Sequence, residues 1–270
     1  MHTVVVGLGG SACTDGGAGL LQGLGIRLRD TAGAELVPGG AALRDLCTLD
    51  LAGSHPGLAT AELVLACDVD NPLLGPDGAA AIYGPQKGAN PDQVAALEVG
   101  LARWASVVSE ALGDAVDPAT AGAGAAGGTG FAAFAVLGAR LRPGIEVLLG
   151  MLGIDDRVAR ADLVITGEGA LDAQTLRGKG PAGVAVAAAR HGRPTVAVAG
   201  RIELGVSELA RAGFTGGYAL ADLEPDPQRC ISDAARLLED VGARLIMDWL
   251  RGETVRATAR PSIRPVDARR

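Results

Sequence analysis

This 270-residue sequence has few aromatic residues, few histidines and no closely spaced cysteines. Aromatic residues make up 3% of the chain and the net charge is −7, which argues against binding to nucleic acid or to an anionic membrane surface. With three histidines and no Cys-x-x-Cys pair, the sequence has no zinc pattern. The four separated cysteines are typical of reduced thiols, so we expect a cytoplasmic protein.

Long hydrophobic runs and standard nucleotide motifs are missing as well. No apolar run reaches membrane-spanning length, and we expect neither a signal peptide nor a transmembrane helix. A P-loop is excluded because Gly178-Lys179 is followed by Gly180 instead of Ser or Thr. Gly7-x-Gly9-x-x-Ala12 is only superficially similar to a dinucleotide fingerprint. It leaves an NAD(P)-dependent oxidoreductase open as a distant alternative.

Glycine, by contrast, is abundant at 41 of 270 residues, about twice its ordinary frequency. The glycines concentrate where predicted strands end, which is where the backbone turns tightly or approaches a ligand. β-branched runs predict strands, and apolar residues at helical spacing predict helices. The predicted strands are 3–6, 63–67, 163–166 and 195–199, and the predicted helices are a segment ending at 24, then 91–112, 182–190 and 227–250. This alternation predicts an α/β fold with parallel strand pairing.

The most informative segment is 163–183. A β-branched run, Leu163 to Thr166, is predicted to end at Gly167, and a loop rich in glycine and charge follows it. The charged and polar residues of this loop are Glu168, Asp172, Gln174, Arg177 and Lys179. A buried strand that ends in such a loop is how open α/β sheets build ligand sites.

A second strand end and a further glycine-rich loop carry charged and polar residues of the same kind. Asp68 and Asn71 follow the 63–67 strand, and Lys87 lies in a third glycine-rich loop. Taken singly, Asp68 and Asp172 can be turn formers or helix caps, and the lysines can be solvated surface residues. Taken together, carboxylates for magnesium and cations for phosphates are the parts that phosphoryl transfer needs. The set therefore favours a kinase that acts on a small polar acid.

Several long motifs resemble signatures of the bacterial glycerate kinases of the two-domain, non-P-loop type. They are Gly9-Gly10-Ser11-Ala12-x-Thr14-Asp15-Gly16-Gly17-Ala18-Gly19, Ala66-Cys67-Asp68-Val69-x-Asn71-Pro72-Leu73-x-Gly75, Gly84-Pro85-Gln86-Lys87-Gly88, Gly127-Gly128-x-Gly130 and Thr166-Gly167-Glu168-Gly169-x-x-Asp172-x-Gln174-Thr175-x-x-Gly178-Lys179-x-Pro181. The motifs follow the family's order over about residues 3–220. The resemblance implies phosphorylation of D-glycerate with ATP and Mg²⁺.

The resemblance also implies a Rossmann-like parallel-sheet domain into which a second α/β domain is inserted. On that basis we expect residues 1–150 to form the inserted, substrate-side domain, 151–252 a Rossmann-like portion and 253–270 a disordered tail. Members of the family carry an N-terminal segment with a Pro-Asp-Ser-Phe-Lys motif that this sequence does not contain. We therefore expect an incomplete Rossmann-like domain. A homo-oligomer, a completing chain and an inactive remnant that binds a ligand or partner stay open as alternatives.

The resemblance gives each matching residue an expected role. Catalysis is expected from Glu168, Asp172 and Lys179, with Mg²⁺ at Glu168 and Asp172. D-glycerate is expected to bind near Ser11, Asp68, Asn71 and Lys87. ATP is expected to bind near Gly9, Gly10, Gly167, Gly169, Gln174 and Gly178. The ATP and glycerate sides can also be exchanged.

Overall fold

The computed structural model describes residues 2–113, 117–177 and 180–252, so the disordered tail predicted over 253–270 lies outside the described residues. The strands are β1 (His2–Gly7), β2 (Arg27–Asp30), β3 (Leu46–Asp50), β4 (Ala61–Ala66), β5 (Arg140–Arg142), β6 (Val164–Leu171), β7 (Thr195–Ile202) and β8 (Gly216–Ala219). The helices are α1 (Ala18–Gly23), α2 (Ala79–Tyr83), α3 (Pro91–Leu112), α4 (Ala125–Ala135), α5 (Gly144–Met151), α6 (Ile154–Ala159), α7 (Gly180–Arg190), α8 (Val206–Arg211), α9 (Pro227–Ser232) and α10 (Ala234–Leu250). No helix in these ranges is long and apolar enough to cross a membrane.

The chain divides into two compact units, Met1–Gly144 and Ile145–Arg270. In the first unit, β1, β4 and β5 form a parallel sheet, and β2 pairs with β3 in an antiparallel hairpin. In the second unit, β6, β7 and β8 form a parallel sheet in sequence order. The predicted α/β class with parallel pairing is confirmed.

Helix α3 forms the main wall of the first unit's core, as its sequence predicts. It begins at a capping box, in which the Asn90 side chain accepts from the Gln93 N–H and the Gln93 side chain accepts from the Asn90 N–H. Leu101 and Trp104 on its apolar face are fully buried. The Trp104 ring meets the Phe131 ring of α4 edge to face, with centroids 6.3 Å apart.

Two glycine-rich segments of the first unit, residues 13–17 and 124–128, touch backbone to backbone. The Gly16 N–H donates to the Gly127 carbonyl at 3.0 Å. A Cβ at Gly127 would overlap the Cys13 carbonyl oxygen, and Gly127 has a φ of 69°, in the left-handed region. The alanine- and glycine-rich residues 121–130 thus form a closely packed turn at the start of α4, where Ala126, Gly127 and Gly128 depart from helical geometry.

The C-terminal helix differs from its prediction over 227–250. It is two helices, α9 and α10, separated at Asp233. The Ser232 hydroxyl lies in hydrogen-bond distance of both the Arg229 carbonyl and the Asp233 carboxylate, and such local bonds compete with helix continuation. The buried apolar residues of this segment are Cys230, Leu237, Val241 and Leu245, whereas Ile231 and Leu238, which helical spacing would place on the same face as Val241 and Leu245, are 73% and 48% exposed.

We expect Gly127→Ala to lower the free energy of unfolding by at least about 2 kcal/mol, because the new methyl group needs both a strained φ and a displaced Cys13 backbone. Gly23→Ala is the matched control, since Gly23 is exposed at the end of α1 and a Cβ there meets no atom within 4 Å. Urea unfolding of both variants measures the difference. Equal stabilities would contradict the close contact.

Candidate functional site

Several polar residues of the first unit lie in or near the loop that follows β4. The Asn71 carboxamide has partners at both of its ends: Nδ2 donates to the Asp77 carbonyl at 2.9 Å, and Oδ1 accepts from the Tyr83 hydroxyl at 2.5 Å. Asn71 and Tyr83 are both half-buried. Through these two bonds the Asn71 side chain connects its own loop to Tyr83 at the end of α2.

Lys87 lies one turn beyond Tyr83 and turns back onto the loop that follows β1. Its Nζ donates to Ser11 Oγ at 3.1 Å and to the Cys13 carbonyl at 2.6 Å. The same nitrogen lies 6.0 Å from the centroid of the Tyr83 ring, at the edge of cation–π range. We call Ser11, Asn71, Tyr83 and Lys87 the Lys87 cluster.

Burial lowers the pKa of the Lys87 ammonium below its usual value of 10.5, and nearby Cys13 and Asp15 oppose part of that shift. Lys87 is half-buried, so the alternative of a fully solvated surface lysine is wrong. The structure thus brings together three of the four predicted substrate residues, Ser11, Asn71 and Lys87, over 76 positions of sequence.

Asp68, the fourth predicted substrate residue, has a different neighbour. It is exposed, and its Oδ1 accepts from the Gly144 backbone N–H at 2.7 Å. The carboxylate therefore satisfies a backbone donor at the first residue of a helix, as an N-terminal acid does. This is the cap-like role that the sequence left open for Asp68.

The predicted nucleotide residues Gly9 and Gly10 lie in the loop after β1, where a Cβ on either would meet no atom within 4 Å. Gly10 has a φ of 62° and so needs glycine for its backbone. In a dinucleotide fingerprint the glycine turn opens directly into a helix. Here α1 begins only at Ala18, six residues after Ala12, so the loop lacks the fingerprint's geometry.

In the second unit, β6 does not end at Gly167 as predicted. It continues to Leu171, and Glu168 pairs with Ala199 within the sheet. A Cβ at Gly167 would overlap the Val198 carbonyl oxygen. Glycine is therefore required at 167 to let β6 approach β7, and it extends the strand that it was expected to end.

Thr175 joins the two predicted catalytic carboxylates of this unit. Its hydroxyl donates to Glu168 Oε1 and accepts from the Asp172 N–H at 3.2 Å. Asp172 Oδ1 in turn accepts from the backbone N–H groups of Gln174 and Thr175, at 2.8 and 3.3 Å. Asp172 thus forms the turn that starts the short helix Thr175–Arg177.

Sequence reasoning gave no role to Thr175 or Tyr83. Thr175 is fully buried, and its spacing three residues after Asp172 is a reciprocal capping pattern that could have been noticed. Tyr83 directly precedes the Gly84-to-Gly88 motif, four residues before Lys87. Gly178 and Lys179 of the predicted site lie outside the described residues.

A cavity of about 560 Å³ opens beside the strand residues of the second unit's site. Thr166 to Gly169 and Val198 to Gly200 line one side of it. Leu220, Ile231 and Leu238 add apolar side chains to its lining. A Cβ at Gly169 would meet no atom within 4 Å, so the backbone at the cavity is open to a ligand.

The described residues contain no group of three or more His, Cys, Asp or Glu side chains placed to hold a metal ion. Glu168 and Asp172 each use one carboxylate oxygen in the bonds to Thr175 and the following turn. The second oxygen of each can make a further contact. Such a set suits Mg²⁺ that keeps its waters and is held mainly by substrate phosphates.

The comparisons with known proteins agree with one another. The model of the glycerate kinase family matches residues 1–250. A glycerate kinase of Bacillus subtilis strain 168 is 41% identical over 236 residues, covering 87% of this chain and 62% of the relative. A glycerate 2-kinase of Escherichia coli K12 is 41% identical over 217 residues, covering 80% of this chain and 57% of the relative.

A solved structure is similar as well. The crystal structure of a Salmonella typhimurium LT2 protein assigned as glycerate kinase 2 superposes with a TM-score of 0.74 at 38% identity. The match covers 92% of this chain and 65% of that one. The chain therefore spans less than two thirds of the length of each of these three proteins.

Thr175→Val should lower the free energy of unfolding by about 1–3 kcal/mol, because it leaves the Glu168 oxygen and the Asp172 N–H without their partner. Thr195→Val is the matched control, since Thr195 is equally buried and its hydroxyl has no hydrogen-bond partner among the described residues. That variant should be as stable as the wild type or more stable. Urea unfolding that shows the same loss for both would contradict the role of the Thr175 hydroxyl.

Proposed function

This chain belongs to the glycerate kinase family, and on that premise we propose that it phosphorylates D-glycerate to phosphoglycerate with ATP. The observation that carries the proposal is the Lys87 cluster. A half-buried ammonium beside the Ser11 hydroxyl, connected through Tyr83 to the Asn71 carboxamide, offers a cation and polar groups within one cluster. A short hydroxy acid presents the complementary carboxylate and hydroxyls.

In this proposal the first unit is the substrate-side domain. The Lys87 ammonium binds the carboxylate of D-glycerate, and Ser11 and Asn71 bind its hydroxyl groups. Asp68 keeps the adjoining loop in place through its bond to Gly144. The two contacts of Lys87 with Ser11 and Cys13 hold the cation in position before substrate arrives.

The second unit, a Rossmann-like portion in this proposal, takes the nucleotide. Open glycine backbone at Gly169 allows phosphate to approach N–H groups, and the apolar wall of the 560 Å³ cavity suits a purine base. Mg²⁺ neutralises charge on the phosphates when it is bound. The second oxygens of Glu168 and Asp172 are the groups that would hold it.

Phosphoryl transfer needs little from the protein beyond positioning and charge. A glycerate hydroxyl oxygen bonds to the γ-phosphorus, the bond to the ADP oxygen breaks, and the hydroxyl proton is released. The four cysteines are free thiols, which agrees with a cytoplasmic setting where ATP is available.

A coupled assay of ADP formation tests the proposal directly. We expect ATP consumption by the purified, folded chain to depend on D-glycerate, and Lys87→Ala to reduce kcat/KM for D-glycerate by roughly 100-fold, since it removes the charged partner of the carboxylate. Arg44→Ala, which removes an exposed cation of the same unit, should leave kcat/KM unchanged. No D-glycerate-dependent turnover by the folded wild type would refute the activity.

The pH dependence of KM tests the role of Lys87 separately. An ammonium binds a carboxylate only while it is protonated, so binding is retained below the pKa of Lys87 and lost above it. Because burial lowers that pKa, KM for D-glycerate should begin to rise at a pH below 10.5. Lys87→Arg should show no such rise, because arginine stays charged. A wild-type KM that stays constant through this range would contradict the assignment.

A further inference from the structure

We propose that Tyr83 is a positioning residue for D-glycerate, which acts by holding the Asn71 carboxamide through its hydroxyl group. The inference rests on the proposed function, because it concerns the same substrate site. Neither the family motifs nor the charged-residue pattern pointed to Tyr83. Its contacts within the Lys87 cluster indicate the role.

The partners of Asn71 determine which way its amide faces. The Asp77 carbonyl can only accept a hydrogen bond, so the atom that faces it must be Nδ2. Oδ1 then faces Tyr83, whose hydroxyl must donate. One of the two Nδ2 hydrogens is used by Asp77, and the other remains for an acceptor such as a substrate hydroxyl or carboxylate oxygen.

The hydroxyl of Tyr83 stays a donor over the working range of pH. Burial raises the pKa of Tyr83 above its usual value of 10.0, and the nearby Cys67 and Asp70 add to the shift. With the hydroxyl bound, the amide is held at both ends. Without it, the side chain keeps only the Asp77 contact and can rotate away from the substrate.

The chain path explains why one side chain reaches both Asn71 and Lys87. Tyr83 is the last residue of α2. Gly84 packs against the end of that helix, where a Cβ on it would overlap the Ala80 carbonyl oxygen. The short helix Pro85–Lys87 then returns Lys87 Nζ to within 6.0 Å of the Tyr83 ring centroid. The Tyr83 hydroxyl donates to Asn71, whereas the ring faces Lys87. A substitution that removes only the hydroxyl therefore separates the two contacts.

Tyr83→Phe removes the hydroxyl and keeps the ring. We expect its Kd for D-glycerate by calorimetry, and its KM, to rise about five- to tenfold, with kcat and KM for ATP changed less than about twofold. The control is Tyr218→Phe, the same change at the other tyrosine, whose hydroxyl donates to Asp248 at 2.8 Å and whose ring lies 5.9 Å from the Arg244 guanidinium. It should leave Kd for D-glycerate unchanged.

A double-mutant cycle shows whether Tyr83 acts through Asn71. Tyr83→Phe should have no further effect on Kd in an Asn71→Ala background, because the group that it positions is gone. Asn71→Asp provides a variant that leaves Tyr83 intact. It keeps an oxygen for Tyr83 but replaces the N–H donor with a carboxylate oxygen, so we expect Kd to rise more than tenfold.

The outcomes separate this inference from the proposed function. If the wild type binds D-glycerate and Tyr83→Phe binds it equally well, or if the effects of Tyr83→Phe and Asn71→Ala simply add, the positioning role is refuted and the kinase proposal is untouched. Should Tyr83→Phe fail to fold, an unchanged Kd for Asn71→Asp refutes it. If the wild type does not bind D-glycerate at all, both proposals fail, whereas binding without turnover overturns catalysis alone.

Discussion

The first unit depends on the contact between the backbones of residues 13–17 and 124–128. The Gly127 backbone lies so close to the Cys13 carbonyl that no side chain fits between them. That contact fixes the direction of the Cys13 carbonyl, which is one of the two oxygen atoms that hold Lys87. The Lys87 ammonium therefore gets its position from a packing contact between two residues, Cys13 and Gly127, that are more than 100 positions apart along the chain. The position of the Lys87 ammonium thus depends on glycine at 127, where any side chain would displace the Cys13 carbonyl.

Much of the fold could be predicted because its signals are local. Asn90, Pro91 and Gln93 specify the start of α3 by themselves, and the β-branched runs of β1, β6 and β7 indicate strands without knowledge of their neighbours. The end of β6 could not be predicted in this way. Gly167 looks like a strand terminator in sequence, and only the Val198 backbone beside it shows that the glycine permits pairing. The break at Asp233 similarly depends on competition between local hydrogen bonds of similar strength.

The candidate site could be predicted by residue identity but not by role. Motif resemblance found Ser11, Asn71 and Lys87, which the fold then brings together. It left a turn-forming role for Asp172 open and did not decide it. It also could not show that Thr175 connects Asp172 to Glu168, because a hydroxyl's partners are set by tertiary geometry. Residues that hold other residues in place carry little signal in a single sequence.

The half-buried setting of Lys87 also gives it a distinct chemical reactivity. The chain contains only two lysines, Lys87 and Lys179, against 22 arginines. A neutral amine is the form that reacts with acylating reagents, and the lowered pKa of Lys87 gives it a larger neutral fraction than an ordinary lysine has at the same pH. Amine-selective labels thus have very few side chains to modify in this protein. The burial that lowers the pKa of Lys87 therefore also makes its amine more nucleophilic at a given pH, and a covalent label there would report on the proposed glycerate site.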